Sequence, residues 1–152
     1  MRISIEGSLP RELGLTRSEA KKAAEAFAAF SSARCGEVFR EVAVIVQDDE
    51  ASAAAHEAIM GVGGATDVIT QRYEPMPPEP DGVYGELYVN ADQAIRLAAV
   101  HRWAKRGWDA KKEFLLYVAH GMDHLSGEDD ATPEGYARMR RRELRWLSRL
   151  RR

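Results

Sequence analysis

The spacing of apolar residues changes several times along the chain, and each change marks an element. Residues 2–6 (Arg-Ile-Ser-Ile-Glu) alternate at period two, the pattern of a strand with one buried face. Thr16, followed three positions later by Glu19, forms a capping pair and opens an alanine-rich stretch that predicts a helix to about residue 34. Residues 41–47 are a β-branched run, read as a buried strand and ended by Asp48-Asp49-Glu50. A second alanine-rich helix is expected to about residue 60, where Gly61, Gly63 and Gly64 stop it. Residues 66–71 and 84–90 read as two further strands. Between them, residues 75–82 hold four of the six prolines and make an extended loop. Three helices are expected to follow, over 91–106, 109–125 and 132–150, the last opened by Thr132-Pro133-Glu134. This order predicts an α+β fold, a small four-stranded mixed sheet packed with about five helices. No repeat or linker divides the chain, so residues 1–152 are expected to form one domain.

Composition narrows the class. At 45% hydrophobic and 30% charged residues, 152 residues can build an ordinary core. The longest apolar runs, 114–119 and 42–46, fall far short of the roughly 20 residues of a membrane span. The first residues carry no apolar signal core, and one cysteine, Cys35, excludes an intramolecular disulfide; both point to the reducing cytoplasm. Cys35 is expected to fill space near a helix end. The net charge of −2 conceals an asymmetry, because residues 138–152 hold eight arginines against one acid, Glu143. That segment carries +7 and the residues before it −9. Such a body is not coated for nucleic acid everywhere, so any polyanion contact is expected to be local. On the last helix, Tyr136, Met139, Leu147 and Leu150 recur at helical spacing and are expected to face the body, with Trp146 beside them. Arg138, Arg141, Arg145 and Arg149 then take the other faces, either pairing with the acidic body or docking RNA.

The chemistry concentrates in His120-Gly-Met-Asp-His124-Leu-Ser-Gly127-Glu-Asp-Asp130. Histidines four apart on a helix project from one face, one turn apart, and two imidazole nitrogens can reach one metal ion. Gly127 allows a sharp turn after the helix, which can return Asp130 to the same ion. Three protein ligands leave an open position, as catalytic rather than structural zinc sites do. The spacing alone is equally compatible with a plain polar stripe. It also resembles an extended zincin motif, but such peptidases need a glutamate directly after the first histidine, where this chain has Gly121.

The same stretch resembles the signature H-G-x-x-H-L-x-G-x-D-H of the YbeY-type family of bacterial rRNA maturation factors and single-strand endoribonucleases. His120, Gly121, His124, Leu125, Gly127 and Asp129 match it. The segment Thr66-Asp67-Val68-Ile69 resembles that family's T-D-V-L, and Gly85-Glu86-Leu87-Tyr88-Val89 its G-D-I-x-I strand. Met139, Glu143 and Leu147 fall where its terminal helix has similar residues. The resemblance implies one Zn2+ ion, an rRNA-directed endoribonuclease activity in ribosome maturation and quality control, and ribosomal RNA or the small ribosomal subunit as partner.

The departures bear on mechanism. The third histidine of the pattern is Asp130 here, a harder ligand that holds zinc less selectively. The Asn and Arg that precede the family's T-D-V-L fall by counting at His56 and Met60, which removes the obvious cation for a phosphate in transition. Arg72 or His56 is the expected substitute. Glu86 and Asp67 are the candidates to orient a water, and Arg72, Arg138, Arg141 and Arg145 the candidates to contact RNA. A metal-binding assembly factor without cleavage is the alternative reading.

Overall fold

The computed structural model describes residues 1–150. The expected α+β class holds: a four-stranded mixed sheet is packed with five helices. The strands are β1 (Arg2–Glu6), β2 (Phe39–Gln47), β3 (Val68–Tyr73) and β4 (Val83–Asn90), in the order β1-β2-β4-β3. β1 and β4 both run parallel to β2, and β3 runs antiparallel to β4. The helices are α1 (Arg17–Cys35), α2 (Asp49–Ala55), α3 (Ala91–Ala98), α4 (Ala110–Leu125) and α5 (Pro133–Arg149).

Helix starts follow their caps. The Thr16 side chain accepts from the Glu19 N–H, and the Glu19 carboxylate accepts from the Thr16 N–H, closing the expected capping box. The side chains of Asp48, Asn90, Asp109 and Thr132 cap the other four helices, each accepting from the N–H three residues on without the reciprocal bond.

Period two decides which face of the sheet is covered. Val83, Gly85, Leu87 and Val89 of β4 are buried, as are Val42 and Val44 of β2 and Ile3 and Ile5 of β1. Helices α1 and α4 lie on this face, and α3 and α5 flank α4. Helix α4 is therefore enclosed, which explains why residues 114–119 are apolar without a polar stripe. The approach to the sheet is close. A Cβ on Gly121 would stand 2.8 Å from Leu87 Cδ2, so a bare backbone at this position lets α4 rest on β4.

Three expectations need correction. The helix expected over 91–106 ends at Ala98, and a separate turn of 3-10 helix spans Ala104–Arg106. His101, expected within that helix, instead accepts from the Trp103 N–H through Nδ1 at 3.0 Å and stacks on Trp108 at 4.7 Å. This local side-chain bond and the aromatic cluster of Trp103 and Trp108 replace helical bonding. The helix expected to residue 60 coils that far, but from His56 to Met60 it widens into a π turn. On α5, Met139 and Trp146 are buried and Leu147 and Leu150 pack against the core, yet Tyr136 is 45% exposed. It belongs to the cleft described next. Arg151 and Arg152 lie outside the described residues.

Candidate metal centre

Helix α4 is buried along most of its length, and its last turn emerges at the rim of a cleft of about 550 Å³. His120 and His124 share the face that opens there, as their spacing of four requires. After Leu125 the chain reverses through Ser126 and Gly127. Gly127 adopts φ +95°, a left-handed conformation that other residues rarely take, and its N–H donates to the His124 carbonyl at 2.9 Å. The reversal returns Asp130 to the two imidazoles.

His120 Nε2 and His124 Nε2 lie 3.1 Å apart, and Asp130 Oδ2 is 3.2 and 3.3 Å from them. A tetrahedral metal ion with bonds of about 2.0–2.1 Å needs ligand atoms about 3.3–3.4 Å apart. The donor set is two imidazoles and a carboxylate, the composition of an open zinc-type site. The residues present therefore fit one metal ion.

The far side of each ring is anchored. His120 Nδ1–H donates to Glu143 Oε2 at 2.7 Å, and His124 Nδ1–H donates to the Glu128 carbonyl at 3.0 Å. Each bond leaves Nε2 as the ligating nitrogen and fixes the plane of its ring. Burial opposes an imidazolium at His120, but the hydrogen bond and charge of Glu143, with Asp67 adding, outweigh it and raise the pKa above its ordinary value. Behind the histidines lies a second buried network. Arg142 Nε donates to both carboxylate oxygens of Asp123, at 3.1 and 3.2 Å, and its Nη2 donates to Glu128 Oε1 at 2.8 Å. Burial pushes the Asp123 carboxyl up to about 6, against the pull of Arg142. This network ties α5 to the end of α4 and to the turn that carries Asp130.

The remaining sequence candidates separate. Asp67 lines the cleft, its Oδ1 accepting from the Val68 N–H at 2.6 Å. Arg72 also lines it, but its guanidinium is committed to Glu37 at 2.7 Å and to the Leu125 carbonyl at 2.9 Å. His56 is at the wall, with Nδ1 against the Gly64 carbonyl at 2.8 Å, and Met60 is 58% exposed at the rim. Glu86 does not reach the cleft. Its neighbours Gly85 and Leu87 face α4, so Glu86 points to the opposite side of the sheet, where its carboxylate accepts from the Tyr73 and Tyr88 hydroxyls. Arg138, Arg141 and Arg145 are exposed on α5. Gly121, the position of the zincin glutamate, is buried against Leu87 and leaves no room for that side chain.

Sequence reasoning missed Arg140 as a lining residue and Glu143 as the anchor of His120. The available signal was that Glu143 is the one acid in the arginine-rich segment 138–152.

Comparison with known proteins bears on the family and the fold. A sequence model of the family described as Endoribonuclease YbeY matches residues 11–151. An Endoribonuclease YbeY of Rhodopirellula baltica is 35% identical over 132 residues, covering 87% of this chain and 63% of the relative. One from Thermus thermophilus is 32% identical over 108 residues, covering 70% of this chain and 74% of the relative. The chain thus spans less than two thirds of the length of the Rhodopirellula protein. The solution structure of TM1509 from Thermotoga maritima superposes with a TM-score of 0.56 at 20% identity, over 97% of this chain and 89% of that one, a likeness of fold. Among the described residues no helix is long and apolar enough to cross a membrane.

Proposed function

The chain belongs to the YbeY endoribonuclease family, and on that premise we propose that it is a zinc-dependent endoribonuclease acting on ribosomal RNA during ribosome maturation. The observation that carries this reading is the triangle of His120 Nε2, His124 Nε2 and Asp130 Oδ2, with edges of 3.1–3.3 Å at the rim of an open cleft. A zinc ion bound there supplies Lewis acidity toward a phosphodiester and lowers the pKa of a water to near neutrality. The chain's own groups do the rest. Glu143 and the Glu128 carbonyl orient the imidazoles, and Asp67 stands in the cleft as a proton acceptor for an attacking water. The partner expected is ribosomal RNA or the small ribosomal subunit, and the compartment the cytoplasm.

A second reading, a ribosome-assembly factor that binds metal without cleaving RNA, is favoured by Met60, an exposed thioether where the family pattern places an arginine. One experiment decides between them. Protein never exposed to chelator is assayed for metal content and for cleavage of single-stranded RNA. Near-stoichiometric zinc with cleavage, both lost in His124→Ala, supports the nuclease. Zinc without cleavage supports the assembly factor, and absence of metal in the parent protein overturns both.

A further inference from the structure

Tyr136 and Arg140 stand one helical turn apart on α5 and line the same cleft as His120, His124 and Asp130. The Arg140 guanidinium lies over the Tyr136 ring, 5.2 Å from its centroid, and Tyr136 remains 45% exposed. A tyrosine that served the core would not sit so open, and Met139 and Trp146 of the same helix show what core burial looks like here. Arg140 Nε faces Glu143 Oε1 at 3.3 Å without closing a hydrogen bond. Its terminal nitrogens bond no acid or carbonyl among the described residues. The other arginine of the cleft, Arg72, is spent on Glu37 and the Leu125 carbonyl. Arg140 therefore keeps its two terminal nitrogens available to an anion beside the three donor atoms, while its Nε stays ion-paired with Glu143.

We propose that Tyr136 and Arg140 form a nucleotide subsite next to the metal trident, in which a base stacks on the Tyr136 ring and the adjoining phosphate pairs with the Arg140 guanidinium. This deepens the nuclease reading and rests on it for the identity of the ligand as RNA. The chemistry matches the parts. An aromatic ring stacks any base, so it grips an unpaired strand without reading its sequence. A guanidinium offers a planar fork matched to two phosphate oxygens. The cation–π contact holds both groups in place before a ligand arrives, and the cleft volume of about 550 Å³ lies in the range of small-ligand sites. The subsite also supplies a positive charge that Met60 does not.

Binding of adenosine 5′-monophosphate and of ribose 5-phosphate, which lacks the base, separates the two contacts. Titrations of the full chain are followed by NMR, with metal content and circular dichroism recorded for every variant. The parent is expected to bind adenosine 5′-monophosphate about tenfold more tightly than ribose 5-phosphate. Tyr136→Ala should abolish that preference and Tyr136→Phe should keep it. Arg140→Gln should weaken both ligands at least fivefold with metal content unchanged, and Arg140→Lys should restore part of the loss. Equal binding of the two ligands by the parent, or a preference that survives in Tyr136→Ala, overturns the stacking role. Unaltered ribose 5-phosphate affinity in Arg140→Gln overturns the phosphate role. None of these readouts depends on cleavage, so loss of the nuclease reading shows up separately, in the RNA assay.

Discussion

His120 Nδ1 and Glu143 Oε2 meet at 2.7 Å across the packed faces of α4 and α5, and Glu143 has no exposed surface. The bond joins the helix that carries two of the three donor atoms to a helix that carries none. It sets the His120 tautomer and places a negative charge behind the ring, which makes Nε2 a better donor. Glu143→Gln keeps the volume and removes the charge. Metal affinity, measured by competition with a chromogenic chelator, should fall about 10–100-fold. Unchanged affinity in that variant would show that the negative charge of Glu143 adds nothing to the donor strength of Nε2.

Asp130 supplies the oxygen of the triangle, while its neighbour Asp129 is turned away and accepts from the Ala131 N–H at 2.9 Å. A carboxylate accepts harder ions than imidazole does. Asp130→His should tighten zinc and weaken manganese relative to the parent, and Asp130→Ala should weaken both. Competition between the two ions, read by elemental analysis after equilibration, checks the order. If Asp130→Ala keeps its zinc affinity, residue 130 is not the third ligand.

Much of this site is legible in the sequence because it is local. Two histidines at i and i+4, a glycine that reverses the chain and an acid three residues later specify their own juxtaposition once residues 110–125 are helical. Glu143 and Arg140 arrive by the docking of α5 on α4, and no periodicity says which turn of one helix meets which turn of the other. Glu86 fails for a related reason. Alternation places it opposite Leu87, but only tertiary packing decides that α4 covers the Leu87 side. The early end of α3 was hidden because Ala98 to Arg106 keeps an acceptable helical composition, and it is the His101–Trp103–Trp108 cluster that breaks it.

Arg72 pairs with Glu37 as a clamp between β3 and the loop after α1, and both side chains are more than a third exposed. The hydrogen bond from Arg72 holds the Glu37 carboxyl below its ordinary value. A carboxyl whose pKa is lowered by folding adds stability above its unfolded pKa, and that contribution disappears as pH falls through the folded value. Glu37→Gln should therefore be less stable than the parent at pH 7, by no more than about 1 kcal/mol for so exposed a pair. The difference should close as pH falls from 4.5 toward 3. Thermal melts of both proteins across that window test it, and a gap that persists unchanged to pH 3 would mean that the side chain acts through packing.

Arg138, Arg141 and Arg145 lie three and four residues apart and so share one stripe of α5. All three are exposed, and Arg138 comes no nearer to an acid than 4.0 Å, at Glu128. Arg141 and Arg145 make no ion pair among the described residues, so charge pairing with the acidic body does not account for them. Arg149 differs, because its guanidinium lies 4.1 Å from the centroid of the Phe30 ring and contributes to packing. The triple change to Gln at 138, 141 and 145 should keep the helix, since Gln is a good helix former, and should leave the melting temperature within about 2 °C. If the stripe meets RNA, each lost phosphate contact takes about 0.7 from the slope of log affinity against log salt for a single strand. Up to about 2 units of slope should then vanish, with the loss of affinity largest at low salt. A triple variant with the parental slope and affinity would remove this stripe from the RNA contact, leaving Arg140 of the cleft to carry it.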